Sequence, residues 1–260
     1  MKTMICDLHV HSKYSCDSKA ELEGYCLEAI NKGVNVICFT EHLDSNIIDR
    51  GYLYYKGKEF FDSFLYLKEK YKHSIKLLCG LEFSEPHLYQ DSLKEYSLLP
   101  YDFILGSVHY WYQDMNPSQM VKDGIPIEIC FDYYWKEVLA TVKAGGFDCL
   151  GHIDFPKRYY KQLIYDKSLL YEICNELVKN NICLEINTSP LRMNMSVSMP
   201  DKDILSIYKD CGGRYVTIGS DSHFERDLGK NINYGKELVK YFNFEEIVFI
   251  NRVPYPVDKL

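Results

Sequence analysis

Residues 4–12 read Met-Ile-Cys-Asp-Leu-His-Val-His-Ser, an apolar run that ends in two histidines. The run is short and rich in aliphatic and sulfur-containing side chains, a composition that predicts a buried β-strand. On an extended segment, His9 and His11 point to the same side because successive side chains alternate. The stretch therefore predicts a strand whose carboxyl end presents two imidazoles together.

The same pattern recurs along the chain, with short apolar runs that alternate with amphipathic stretches. The other predicted strands cover residues 35–40, 76–82, 103–109, 148–152, 182–187 and 215–220. The predicted helices cover residues 21–32, 59–71, 127–144, 168–180, 201–211 and 234–242, the first ending at Gly33. Such alternation indicates an α/β protein with a parallel sheet, either an open doubly wound sheet or a barrel. Since no linker or repeat divides the sequence, residues 1–260 are expected to form one domain.

Composition excludes several classes of protein. The chain is 47% hydrophobic and 26% charged and has 23 Tyr, which argues against intrinsic disorder. Its net charge of −7 argues against a nucleic-acid partner, because such proteins carry a basic face. The amino-terminal residues lack a signal peptide's apolar stretch, and no run approaches the ~18 apolar residues of a membrane span. We therefore expect a cytoplasmic protein without a membrane partner.

The ten cysteines include no Cys-x-x-Cys pair, and most lie inside apolar runs. In a reducing compartment such cysteines act as small buried hydrophobic side chains. A structural zinc–thiolate site is disfavoured because the paired spacing is missing.

Most of the histidines follow the carboxyl ends of predicted strands. These are His9, His11, His42, His109, His152 and His223, with Glu82 and Asp221 at equivalent places. In a parallel β/α barrel these ends open onto one face, so the side chains should converge. Buried together without a cation, they would leave polar groups unpaired at a cost of about 1–3 kcal/mol each. The pattern predicts a centre for zinc, manganese or iron, since imidazole and carboxylate bind all three.

Any one of these residues alone has a plainer explanation. A single buried histidine is more often a hydrogen-bonded core residue than a ligand, and Glu82 could serve an ion pair. His73 and His87 receive this structural interpretation because they lie away from the strand ends. The metal prediction therefore depends on the whole set.

Six motifs occur in an order that resembles a known family. They are Asp7-Leu8-His9-Val10-His11-Ser12, Thr40-Glu41-His42, Gly80-Leu81-Glu82, Gly106-Ser107-Val108-His109, Gly151-His152-Ile153-Asp154 and Gly219-Ser220-Asp221-Ser222-His223. Together they resemble the polymerase and histidinol phosphatase (PHP) superfamily over residues 7–223. The resemblance implies a distorted seven-stranded (β/α)7 TIM-like barrel with three divalent transition metals, zinc, manganese or iron.

The resemblance also implies which residues hold each metal. The first would be held by His9, His11, Glu82 and Asp221, the second by Glu82, His109 and His152, and the third by His42 and His223. Many family members have a further histidine in the loop after the first motif, but residues 12–17 contain none. Asp17 is the expected substitute, and Cys16 is a competing soft ligand.

Two metals bridged by Glu82 can hold a hydroxide that attacks a phosphoester in line, while a third neutralises phosphate charge. No residue is assigned as the general acid. Arg158 and Arg192 follow the fifth and sixth strands, and the resemblance assigns both to the substrate phosphate, which a guanidinium fork matches. Arg226 is a weaker candidate, and Arg214 should face the opposite end of the barrel.

The resemblance to the histidinol-phosphatase branch implies hydrolysis of L-histidinol phosphate to L-histidinol and phosphate, in histidine biosynthesis. Two alternatives stay open: another PHP phosphoesterase, acting on phosphotyrosine or a small nucleotide, and a non-catalytic or proofreading PHP module of a polymerase. The expected partner is a small phosphate ester. The sequence indicates neither the residue that binds the substrate ammonium nor the oligomeric state.

Overall fold

A computed structural model describes residues 4–260, in which parallel strands follow one another in chain order. The strands are β1 (Cys6–Val10), β2 (Val36–Leu43), β3 (Lys76–Ser84), β4 (Phe103–Ser107), β5 (Cys149–Leu150), β6 (Cys183–Asn187), β7 (Tyr215–Gly219), β8 (Glu245–Ile250) and β9 (Val253–Pro256). Strands β1 to β8 pair in parallel, and β9 pairs antiparallel with β8. The predicted parallel α/β sheet is confirmed.

Helices alternate with these strands. They are α1 (Leu22–Lys32), α2 (Gly57–Tyr71), α3 (Gln90–Ser97), α4 (Pro117–Lys122), α5 (Ile127–Ala144), α6 (Lys157–Tyr160), α7 (Lys167–Lys179), α8 (Lys202–Asp210) and α9 (Ile232–Phe242). All six predicted helices are present, and Gly33 ends the first in a left-handed conformation, with φ 71°. Among the described helices, none combines the length and apolar character needed to cross a membrane.

The first and seventh strands lie side by side, which brings the two ends of the motif series together. A parallel bridge joins Val10 to Ser222, and the backbone N–H of His11 donates to the Ser222 carbonyl oxygen at 2.8 Å. The close approach requires Gly219, because a Cβ there would lie 2.4 Å from Cβ of His9. This is the strand neighbourhood that the predicted seven-stranded arrangement requires.

The strands are buried on both faces. One apolar cluster fills the space between the strands and the helices. A second, smaller cluster lies on the other face of the sheet and includes Leu8, Cys38, Leu78, Phe103 and Cys149. Eight of the ten cysteines are buried and all are free thiols, as the sequence predicts for small core side chains.

The carboxyl-terminal part of the chain adds two strands to the seven predicted from the sequence. Residues 245–256 form the β8–β9 hairpin. Its turn contacts the end of the sheet opposite the strand ends that carry the histidines. Asn251 N–H donates to Oδ1 of Asp102 at 3.0 Å, and the Arg252 guanidinium pairs with Asp148. The prolines of β9 are tolerated because an edge strand needs fewer ladder hydrogen bonds. The expectation of one domain over residues 1–260 stays a prediction.

Candidate metal centre

Glu82, near the end of β3, is the centre of the histidine cluster. Its Oε2 lies 3.2 Å from Nε2 of His9 and 3.3 Å from Nε2 of His11. Its Oε1 lies 2.8 Å from Nε2 of His152 and 3.3 Å from Nε2 of His109. The carboxylate is 1% exposed, so solvent does not share these contacts. Oε1 thus faces two imidazoles and Oε2 three, since Nδ1 of His42 also lies 3.3 Å from Oε2, an arrangement suited to bridging cations.

A second group forms around Asp17, in the loop after β1. Its Oδ2 lies 3.1 Å from Nε2 of His223 and 3.4 Å from Nε2 of His42. The ring of His11 stacks on both of these imidazoles, with ring centroids 4.3 and 4.4 Å apart. Cys16 instead groups with two carboxylates at the cavity rim. This geometry favours Asp17 over Cys16 as the companion of His42 and His223.

Asp221 completes the first group. Its Oδ1 lies 3.7 Å from Nε2 of His11 and 3.9 Å from Nε2 of His9. The nine residues that the sequence analysis proposed as metal ligands therefore lie in one cluster: His9, His11, Asp17, His42, Glu82, His109, His152, Asp221 and His223. Their role as ligands stays a prediction, which the donor chemistry can test.

The protons of two imidazoles can be assigned from their partners. Nδ1 of His9 lies 2.6 Å from Oε1 of Glu185, and Nδ1 of His223 lies 3.1 Å from the carbonyl oxygen of Asp221. Both partners only accept, so both Nδ1 atoms carry a proton and Nε2 presents a lone pair. Each of these lone pairs faces a carboxylate oxygen, of Glu82 and Asp17 respectively. Two acceptors this close need a cation or a proton between them, so the cluster fits a bound metal.

Charge within the cluster supports the same conclusion. Burial lowers the pKa of His9, but Glu185 and Glu82 outweigh it and raise this pKa well above its ordinary value. Burial raises the pKa of Glu82, but the neighbouring imidazoles hold it well below its ordinary range. Nε2 of His11 and Oδ1 of Asp17 are buried and find no hydrogen-bond partner among the described residues. The Glu82 carboxylate therefore stays ionised and two buried ligand atoms lack a protein partner, as expected of a site built for divalent cations.

The backbone at two of these residues is strained. His152 has φ 22° and Asp221 has φ 54°, values that non-glycine residues rarely adopt. Glu185 Oε2 accepts from the His152 N–H at 2.8 Å, and Arg192 donates to the carbonyl oxygens of Ser220 and Asp221 at 2.6 and 3.0 Å. These contacts offset the strain and hold both side chains in the cluster.

The cluster forms the floor of a cavity of about 570 Å³. Arg158 reaches it from α6, and its Nη2 donates to Asp221 Oδ2 at 2.5 Å and to Ser189 Oγ at 2.6 Å. Its side chain is 15% exposed, and its guanidinium lies 5.1 Å from the centre of the Phe155 ring. The remaining walls include Ile48, Asp49, Arg50, Tyr110, Asn116, Gln119 and Tyr159. A cation, an aromatic wall and a negative floor thus meet in a space of small-molecule size.

The other predicted arginines lie elsewhere. Arg192 lies behind the Ser220–Asp221 segment, outside the residues that line the cavity. Arg226 is exposed and stacks on Phe224, and Arg214 pairs with Glu245 at the opposite end of the sheet, as expected.

The two remaining histidines lie outside the cluster. His87 has both ring nitrogens paired, to Glu137 and Thr141, and His73 is exposed after α2. These positions agree with the structural interpretation that the sequence analysis gave them.

Sequence reasoning missed the residues that contact the cluster from behind. Glu185 lies inside the apolar run of β6 and contacts His9 and His152; a charged residue within a buried strand was the available signal. Ser15 and Ser84 contact Nδ1 of His11 and His109, and no spacing in the sequence links these pairs.

Comparison with known proteins agrees with this geometry. The PHP domain family model matches residues 7–189. The probable histidinol-phosphatase of Thermotoga maritima is 31% identical over 92% of this chain and 93% of its own, and the histidinol-phosphatase of Lactococcus lactis is 26% identical over 93% and 92%. The crystal structure of the histidinol phosphate phosphatase from Lactococcus lactis, complexed with zinc, L-histidinol and phosphate, superposes with a TM-score of 0.78 at 25% identity, covering 96% of this chain and 98% of that one. This chain belongs to the PHP domain family, in its histidinol-phosphatase branch.

Proposed function

We propose that this chain is a metal-dependent phosphatase that hydrolyses L-histidinol phosphate to L-histidinol and phosphate, a step of histidine biosynthesis. The observation that carries the proposal is the Glu82 cluster beside the guanidinium of Arg158, on the floor of one cavity. Relatives named histidinol-phosphatase match nearly the whole chain, which supports the choice of substrate.

We propose that the cluster holds three divalent transition metals, zinc, manganese or iron. The first would lie among His9, His11, Glu82 and Asp221, the second among Glu82, His109 and His152, and the third among Asp17, His42 and His223. When bound, divalent metals lower the pKa of water and neutralise charge on a phosphate ester. Glu82 would keep two of them adjacent, because its two oxygens face different imidazoles.

Arg158 is the cavity residue that we propose binds the substrate phosphate. Its Nη2 is engaged by Asp221 and Ser189, and its Nε and Nη1 have no protein acceptor among the described residues. Three N–H donors therefore remain for phosphate oxygens. Its pKa is raised, since the Asp221 carboxylate outweighs burial, and the guanidinium stays charged at every working pH.

Arg192 is the second residue that we propose binds the substrate phosphate, but in this structure its guanidinium is engaged by other groups. Its guanidinium already binds two carbonyl oxygens behind Asp221 and would have to release them to reach a bound phosphate. Arg192→Ala should therefore lower kcat/KM less than Arg158→Ala does, in steady-state assays on metal-loaded protein. An equal or larger loss would give Arg192 the leading role.

Phe155 closes the site from one side. Its ring centre lies 5.0 Å from that of His109 and 4.8 Å from that of His152, beneath the guanidinium of Arg158. An apolar wall here excludes water and strengthens the interaction of Arg158 with an anion.

The direct test is a substrate panel on protein purified without chelator and with its metals counted by elemental analysis. We expect the highest kcat/KM for L-histidinol phosphate, and less for phosphotyrosine and nucleoside monophosphates. Glu82→Gln serves as the inactive control. A higher kcat/KM for another ester would contradict the proposed substrate and identify that ester as the preferred one. Absence of phosphate release from every ester, with all metals bound, would favour the non-catalytic alternative.

A further inference from the structure

The hydroxyl of Ser15 is surrounded by polar groups in the loop after β1. Oγ lies 2.6 Å from Oε2 of Glu41, 2.9 Å from the backbone N of His42 and 3.1 Å from Nδ1 of His11. A hydroxyl has one proton and two lone pairs. Glu41 takes the proton, since this carboxylate also accepts from the N–H and hydroxyl of Ser12. The His42 N–H takes one lone pair, so the other accepts a proton donated by Nδ1 of His11.

The same arrangement recurs at the end of β3. Ser84 Oγ lies 2.7 Å from Oδ1 of Asp44 and 2.9 Å from Nδ1 of His109. Ser84 is fully buried and Asp44 is 6% exposed, so water does not compete for these contacts. Since Ser84 donates its proton to Asp44, its oxygen accepts from Nδ1 of His109. Nε2 of His109 then presents a lone pair 3.3 Å from Oε1 of Glu82.

We infer that Ser15 and Ser84 are positioning residues for the metal centre, each holding its imidazole with the proton on Nδ1 and the lone pair of Nε2 directed at a metal. The inference rests on the proposed metal site and adds two residues to it. An imidazole binds a metal only through an unprotonated nitrogen, and the partner of the other nitrogen selects which one that is. Without the hydroxyl, His11 or His109 is free to carry its proton on Nε2, where it faces Glu82 as a donor.

Ser84 offers the sharper test because the sheet provides a matched control. Ser107 is its register partner on β4, is equally buried, and directs its hydroxyl to the carbonyl oxygen of Phe83 rather than to an imidazole. We compare Ser84→Ala, Ser84→Thr and Ser107→Ala in the full chain. Thermal unfolding of each metal-free variant identifies any general loss of packing.

The first measurement is zinc affinity by chelator competition, starting from metal-free protein. Ser84→Ala should bind one zinc about 10–100-fold more weakly than wild type, the range for loss of a residue that orients a ligating histidine. Ser84→Thr keeps the hydroxyl and should restore most of the affinity. Ser107→Ala should bind zinc as wild type does.

The second measurement is 15N NMR of metal-free protein labelled at histidine, which reports the ring nitrogen that carries the proton. Burial lowers the pKa of His109, but the Glu82 carboxylate outweighs it and raises this pKa, so the spectra are recorded at a pH high enough to make the imidazole neutral. The His109 signals, identified by their loss in His109→Gln, should show a proton on Nδ1 in wild type and a mixture of tautomers in Ser84→Ala. Unchanged zinc affinity and an unchanged tautomer in Ser84→Ala would overturn the inference, as would an equal loss in Ser107→Ala. Wild-type protein that binds no zinc would instead overturn the proposed metal site itself.

Discussion

Replacing Glu82 with glutamine keeps the shape of the side chain but removes the charge that two groups of imidazoles share. Oε2 faces His9, His11 and His42, and Oε1 faces His109 and His152, all within 3.3 Å. An amide in the same place offers one neutral oxygen and turns an N–H₂ donor toward the other group. We therefore expect Glu82→Gln to weaken two metals together and to abolish phosphatase activity.

The size of the effect follows from binding linkage. At a free metal concentration about 100 times Kd, each site stabilises the folded protein by about 2.7 kcal/mol, so two sites contribute about 5 kcal/mol. For a chain of this size, about 2–4 °C in Tm corresponds to 1 kcal/mol, so the two sites raise Tm by roughly 10–20 °C. In Glu82→Gln, the metal-induced rise in Tm should therefore be smaller by roughly 10–20 °C.

The assay is calorimetry of each protein with and without saturating zinc, together with elemental analysis. Because every variant is compared with its own metal-free form, changes in the fold itself cancel. Asp17→Asn, which alters the carboxylate beside His42 and His223 but leaves the Glu82 contacts intact, is the control and should lose roughly half as much. A Glu82→Gln protein that loses a single metal, or that keeps substantial turnover, would refute the bridging role.

Three further predictions address other parts of the molecule. Cys16→Ser should retain all metals and the wild-type kcat, whereas Asp17→Ala should lose part of both in elemental analysis and steady-state kinetics; the opposite ranking would indicate a thiolate ligand. Arg158→Ala should lower kcat/KM about 10–100-fold with unchanged metal content, because a charged contact to phosphate contributes about 1.5–3 kcal/mol, and Arg158→Lys should recover only part; wild-type kinetics in Arg158→Ala would make it a surface charge. Arg252→Ala leaves the carboxylate of Asp148 without its ion-pair partner and should lower the free energy of unfolding by about 1–3 kcal/mol in urea denaturation, without changing kcat; an unchanged midpoint would show that the hairpin is held by other contacts.

The metal cluster could be predicted from sequence because its residues occupy equivalent places on successive strands. His9, Glu82 and Asp221 lie at strand ends, and parallel strands bring such ends to one face whatever the details of packing. Which oxygen of Glu82 faces which imidazole depends on side-chain conformations in three dimensions, so the sequence could only name the set.

The residues behind the cluster escaped prediction for a physical reason. Ser84 meets Asp44 and His109 through packing between strands, and neither spacing nor residue type marks such a contact. Glu185 was the exception that could have been found, as a carboxylate within the buried β6. Strand β9 was missed because two prolines in four residues argue against any strand except one at an edge.

The β8–β9 hairpin affects the order in which the molecule can become complete during synthesis. Asp102 and Asp148 emerge from the ribosome with β4 and β5, more than a hundred residues before Asn251 and Arg252 arrive to bind them. Until then, both carboxylates must stay hydrated, which keeps that end of the sheet open to water. The nascent chain can therefore assemble the face that carries the histidines before the β8–β9 hairpin covers the opposite end of the sheet. A ribosome-bound chain stopped before β8 should be markedly more sensitive to protease than one stopped after β9.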